Sequence, residues 1–193
     1  MAQSAVLVNR VESLARLLQS RNQIDEQTAH LICRPALPGH IGEWLASEIF
    51  GVQLHASANQ CGSDGKFTAG PLAGRSVNVK FYGKREGILD LKKPDEHQPD
   101  FYLVITGPRG AAASSRGSSL PCLIAEVFLF EAAPLLSRLT QRGVRKRGFR
   151  IGVATSVTLQ EWENARIYPV PGKDAMIQLQ PDQIQALALF NFA

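Results

Sequence analysis

Two short apolar runs constrain this chain more than any other feature. Phe101-Tyr102-Leu103-Val104-Ile105-Thr106 stops at Gly107-Pro108, and Leu123 to Phe130 carries a single charge, Glu126. Runs of this length, rich in β-branched and aromatic residues, read as strands, and the first as a buried one. Helical spacing recurs around them, at Val6, Val8, Val11, Leu14, Leu17 and Leu18, and again at Ile41, Trp44, Leu45, Ile49 and Phe50. Strands and helices in this order predict an α/β or α+β domain on one mixed central sheet flanked by helices. The chain has 193 residues, 45% of them hydrophobic and 20% charged, enough for one real core. The expected organisation is an N-terminal helical arm over 1–38 and one α/β domain over 39–193.

The remaining elements follow from local signals. A first helix over Ala5–Leu18 is expected to end near Gln19-Ser20, and a second over Asp25–Ile32 to be capped by Asp25. Pro35 and Pro38-Gly39 break the chain, and Gly51 ends the helix over Ile41–Phe50. Three strands then form a meander: Val52–Ala56, Gly65–Ala69 and Arg75–Tyr82, with Gly70-Pro71-Leu72-Ala73-Gly74 as the second turn. Gly83–Gln98 reads as a charged loop or short helix, and Arg109–Ser119 as a loop. Beyond the apolar runs come a helix over Glu131–Gln141, a last strand over Ile151–Thr155, and closing helices over Leu159–Ala165 and Pro181–Phe190. No Gly-rich phosphate loop follows the first strand, which argues against a Rossmann or P-loop nucleotide site.

Three scattered cysteines, Cys33, Cys61 and Cys122, form neither a disulfide framework nor a zinc knuckle, so a reducing cytoplasm is the expected compartment. Arg10, Glu12 and Arg16 interrupt the first apolar positions, unlike a signal peptide, and no apolar run spans a bilayer. The net charge of +4 is compatible with nucleic acid without pointing to it.

Chemistry concentrates between Asp64 and Lys80. If the turn centres near Leu72, Asp64 lies across from Lys80 and Lys66 across from Asn78. Asn78 and Lys80 then share a strand face, while Val77, Val79 and Phe81 take the other. An oxygen-rich set of Asp64 and Asn78 beside an amine suits Mg²⁺ or Mn²⁺ better than zinc, since no His or Cys cluster accompanies it. The lysine would orient an attacking water or steady charge developing on phosphorus. The same letters also suit a half-exposed sheet and an ordinary Ser-Asp-Gly turn. Glu43, in the first turn of the preceding helix, either complements the helix dipole or leans toward this patch as a further ligand.

Glu43 on a helix, Asp64 in a strand meander and Asn78-Val79-Lys80 on the next strand together resemble the PD-(D/E)xK nuclease superfamily. The resemblance covers Gly39 to Thr106, about a third of the chain. It implies a restriction-endonuclease-like fold, with Asp64, Asn78 and Glu43 as metal ligands and Lys80 serving the attacking water. The implied activity is metal-dependent hydrolysis of DNA phosphodiester bonds. Asn78 departs from the pattern, since an amide offers a carbonyl oxygen to a metal but no charge. The alternative is therefore a catalytically inactive module of the same fold that binds nucleic acid or a protein partner.

Three further features bear on function. Arg138, Arg142, Arg145, Lys146, Arg147 and Arg150 lie close together with no acid among them, which reads as a phosphate-binding stretch or as a solvated helix end. Glu126 needs a cationic partner, Lys80 or an arginine, unless its strand is an exposed edge. The apolar stripe of the first helix would serve a homodimer or another protein partner. His30, His40, His55 and His97 show no metal-ligand spacing.

Overall fold

The computed structural model describes residues 2–56, 62–91, 97–109, 122–143 and 154–191, and of residues 2–8 and 154 the backbone alone. The chain divides into two compact units, Met1–Ile41 and Gly42–Ala193.

The first unit is dominated by α1 (Ala2–Ile32), one continuous helix where the sequence predicted two. Its polar residues do not break it, because the hydroxyls of Ser13, Ser20 and Thr28 donate to carbonyls four residues earlier, at 2.8, 3.1 and 2.9 Å. No Gly or Pro falls between Ala2 and Ile32, so nothing stops the helix near Ser20. Asp25 is therefore not a cap but a mid-helix residue, 3.5 Å from Arg21 one turn earlier. The stop comes at Cys33, which takes a left-handed φ of 53°, followed by Pro35.

The boundary between the units falls within α2 (Pro38–Phe50). The second unit continues with β1 (Val52–Leu54), β2 (Gly65–Phe67), β3 (Ser76–Tyr82), β4 (Ile88–Asp90), β5 (Phe101–Thr106) and β6 (Glu126–Glu131). It closes with α3 (Ala132–Gln141), β7 (Ala154–Ser156), α4 (Leu159–Ala165), β8 (Arg166–Tyr168) and α5 (Pro181–Ala188). Six strands form a mixed sheet in the order β1-β2-β3-β5-β6-β8, in which β3 and β5 run parallel and every other neighbour antiparallel. The architecture is mixed α/β with a mixed central sheet flanked by helices, as the apolar runs predicted.

Two assignments differ. Part of the charged segment after Gly83 is the strand β4, and it pairs with β7 in a separate two-stranded sheet. The strand expected over Ile151–Thr155 is thus no member of the main sheet, and residues 151–153 lie outside the described ones. The last strand of the main sheet is β8, three residues that begin with a charge and show no periodicity.

Every residue of β5 is buried, because both faces of the sheet are covered there. On one face, Tyr102 and Val104 join Phe128 and Phe130 of β6 beneath Leu135, Leu139, Trp162 and Leu89. The Trp162 indole meets both phenyl rings edge-on, at 4.7 and 5.1 Å between centroids. On the other face lie Val77, Val79, Phe101, Leu103 and Ile105. Helix α2 rests on that face: a Cβ on Gly42 would come within 2.7 Å of Phe81 Cβ, so only glycine allows the approach. The parallel pair starts from a latch, in which Ser76 N–H and hydroxyl both donate to Asp100 Oδ2 at 2.8 Å and Arg75 lies 3.0 Å from Oδ1. No described helix is long and apolar enough to cross a membrane.

Candidate functional site

The site is built where β2 begins and β3 runs on past it. Gly65 opens β2 so close to β1 that a Cβ there would lie 2.4 Å from Gln53 O. The observed register sets Gly65 opposite Val77 and Lys66 opposite Ser76. Asp64 is therefore one rung from Asn78, not opposite Lys80 as a turn centred on Leu72 predicts. The reason is the turn, a 3₁₀ segment over Gly70–Leu72 closed by Gly74 N–H to Phe67 O at 2.8 Å. Asn78 and Lys80 share one face of β3, whereas Asp64 precedes β2 and is bonded to Val77 and Val79 of the same strand.

Asp64 is held by main-chain bonds on both flanks. Its N–H donates to Val77 O at 2.8 Å, and its carbonyl accepts from His55 N–H at 2.9 Å. Its Oδ2 accepts from Val79 N–H at 2.7 Å, which extends the ladder by one rung beyond the end of β2. Part of the carboxylate's capacity is thus structural, and Oδ1 is left for other partners.

Asn78 is buried at 5% exposure, and its Oδ1 has no hydrogen-bond partner among the described residues. Lys80 follows two residues on along the same face, half-buried, in register with Val104. Tyr82 comes next; its hydroxyl donates to Asp90 Oδ2 at 3.2 Å and accepts from Asp90 N–H at 3.0 Å. Burial, with the Asp90 carboxylate beside it, holds the Tyr82 phenol well above its ordinary pKa, so it remains a neutral donor. Glu43 lies in α2 one residue from Gly42, and α2 packs on the Phe81 side of β3, opposite Asn78 and Lys80.

Sequence spacing missed His55. It stands beside Asp64 across β1 and β2, and its Nε2 lies 3.0 Å from Ser63 Oγ. It stands nine positions before Asp64, and only the strand pairing brings the two together.

Among the described residues, no three His, Cys, Asp or Glu side chains gather at one point. A hard cation would therefore rely on Asp64 and the Asn78 amide oxygen. A buried acceptor with no donor suits such a cation, whereas a single carboxylate supplies little charge.

The basic stretch is tied down where it is described. Arg138 Nε and Arg142 Nη2 lie 3.4 and 3.3 Å from the two oxygens of Glu161, and Arg142 also donates to Ser156 O at 3.3 Å. Glu161 accepts in addition from Thr158 N–H and hydroxyl, both at 2.8 Å, as the N-terminal capping box of α4. Burial works against its charge, but the Thr158 bonds and the two arginines outweigh it and hold the carboxyl below its usual pKa. This acid stands 19 residues after Arg142, beyond any local charge pattern. Arg145, Lys146, Arg147 and Arg150 lie outside the described residues. A cavity of about 550 Å³ opens beside Arg138, Arg142 and Glu161, and no residue of β3 lines it.

Glu126 has its cations, and they are arginines. Its Oε2 lies 2.7 Å from Arg85 Nε, off the line of a hydrogen bond, and its Oε1 3.5 Å from Arg166. Glu163 joins both arginines, 3.3 Å from Arg85 and in close contact with Arg166. Arg85 also sits over the Phe128 ring, 5.4 Å from its centroid. The network pins β6, β8 and α4 together. No family model, curated protein or solved structure matches this chain.

Proposed function

We propose that this chain is a nuclease-like protein, a metal-dependent endonuclease acting on DNA phosphodiester bonds, with its site at Asp64, Asn78 and Lys80. One observation carries the reading: the partnerless Oδ1 of buried Asn78, one rung from a carboxylate and two residues from a lysine on the same strand face. Asp64 and Asn78 would hold Mg²⁺ or Mn²⁺, which supplies Lewis-acid polarisation of a phosphoryl oxygen. Lys80 places a cation where an incoming phosphate and its water would lie. Glu43 enters as a ligand through the family resemblance alone. DNA contacts through Arg145, Lys146, Arg147 and Arg150 belong to the same proposal, whereas Arg142 is already engaged by Glu161.

The inactive-module reading has its own support. Val79 N–H already uses one Asp64 oxygen, and Asn78 adds no charge. Supercoiled plasmid separates the two. Wild type with Mg²⁺ or Mn²⁺ should nick it, and Lys80→Ala should not, at unchanged stability. If both proteins are equally inert while wild type still binds Mn²⁺ and duplex DNA, the inactive module stands. If neither metal nor DNA binds, the nuclease and nucleic-acid readings go, and of the inactive module only the protein-binding form is left.

A further inference from the structure

Helix α1 carries large apolar side chains that are exposed among the described residues. Val11, Leu14, Leu17, Leu18, Ile24 and Leu31 are between 48% and 68% exposed. An isolated helix gains most of its stability from packing such a face, so a surface this long needs a partner. The spacing identifies what kind. Val11, Leu14 and Leu18 follow the alternating three- and four-residue steps of a coiled-coil seam, and the same steps continue through Arg21, Asp25 and Thr28. Leu17, Ile24 and Leu31 recur every seven residues along one flank, while Ala15, Asn22 and Ala29 line the other.

We infer that α1 pairs with α1 of a second copy of this chain, antiparallel. Charge decides the orientation. In a parallel in-register pair, Arg21 would face Arg21 and Asp25 would face Asp25 within the seam. Reversing one helix sets each Arg21 beside the other copy's Asp25, in two cross pairs about a two-fold axis near Gln23. The flanks agree. Reversal brings Leu17 beside Leu31 and Ile24 beside Ile24 of the second copy, whereas the parallel pair would set Leu17 and Ile24 against Asn22 and Ala29. Leu18 then meets Thr28, whose hydroxyl is already spent on Ile24 O and whose methyl is left for the seam. The overlap from Leu17 to Leu31 is about 21 Å long and covers Leu17, Leu18, Ile24 and Leu31, with Val11 and Leu14 beyond it. The pairing stands apart from the nuclease reading, since it uses no residue of β2 or β3.

Sedimentation equilibrium of the full chain across a concentration series tests this. Wild type should be a dimer. Asp25→Arg and Arg21→Asp, each placing like charges across the seam, should weaken it at least about tenfold. The double exchange Arg21→Asp with Asp25→Arg should restore it, because the cross pairs re-form with reversed sign. A monomeric wild type overturns the inference, as does a dimer indifferent to the single exchanges or a double exchange that stays monomeric. Circular dichroism of each variant shows whether the rest of the chain remains folded.

Discussion

Glu126 is the residue whose replacement tests the reading of the core most directly. Arg85 is 7% exposed, and its compensation comes from Glu126 at 2.7 Å and Glu163 at 3.3 Å. At an effective dielectric of about 20, the closer pair is worth roughly 6 kcal/mol of gross attraction. Desolvation of both ions cancels much of that, so the number to expect is the cost of breaking the pair. Removing one member of a buried pair costs about 3–5 kcal/mol, because the other charge stays buried. Glu163 still neutralises part of Arg85, which places Glu126→Gln near the lower end, about 3 kcal/mol. For a domain of this size that is a fall in Tm of roughly 6–12 °C. Replacing both partners by apolar residues, Glu126→Leu with Arg85→Met, removes the desolvation cost with the attraction and should recover most of the loss. Urea unfolding of the wild type, Glu126→Leu, Arg85→Met and the double variant closes the cycle. The reasoning is refuted if Glu126→Gln lies within about 0.5 kcal/mol of wild type, or if the double variant is as unstable as the sum of the single ones.

Acid should unfold the protein through two carboxylates in particular. In Asp100, burial opposes the charge, but the bonds from Ser76 and then Arg75 hold its pKa below the ordinary value, and Glu161 is lowered likewise. The folded values lie below the unfolded ones, so stability is fully present above about pH 5 and falls as the pH drops toward the folded values. Urea midpoints at successive pH values should fall less steeply in the Asp100→Asn/Glu161→Gln variant; an equal slope would assign the acid transition to other groups. At Asp64 the two roles separate by substitution. Asp64→Asn keeps an acceptor for Val79 N–H and should hold its stability within about 0.5 kcal/mol, whereas Asp64→Ala orphans that donor at about 1–3 kcal/mol. Both should lose Mn²⁺ affinity in calorimetric titration, and an Asn variant that binds as wild type does would remove Asp64 from the metal site.

The strands that could be read from the sequence are those whose burial dominates their composition. Phe101–Thr106 matches its predicted span, because six consecutive buried side chains leave no other signal in the run. Leu159–Ala165 matches too, because the Thr158 capping box marks its start. β4 and β8 were not readable, since each is three residues long and defined by a partner far away in sequence. The error at α1 runs the other way. Polar Ser20 and Asp25 read as a terminus and a cap, yet in a helix free of Gly and Pro such residues bond locally and the turn continues. In the site, the shared face of Asn78 and Lys80 follows from strand period alone. The Asp64 register required the turn geometry, and the arginine partners of Glu126 required the tertiary fold.

Partnerless buried atoms do not by themselves mark a site. Among the described residues, Trp162 Nε1 and Thr106 Oγ1 are as orphaned as Asn78 Oδ1. Each such atom costs about 1–3 kcal/mol, so each needs something to offset it. The Trp162 indole has its offset in two edge-on phenyl contacts, where apolar burial outweighs one lost donor. Thr106 sits on the rung opposite Glu126, inside a network whose ion pairs hold the strands regardless of one hydroxyl. Among the described residues nothing offsets Asn78 Oδ1 in the same way: its register partner Tyr102 gives its hydroxyl to Gln98, and Asp64 gives Oδ2 to Val79. An amide oxygen left bare there, beside a carboxylate and a lysine, has the surroundings a cation or a phosphate-bound water would satisfy. This difference in surroundings, more than the orphaned atom itself, is what supports the chemistry proposed at Asn78.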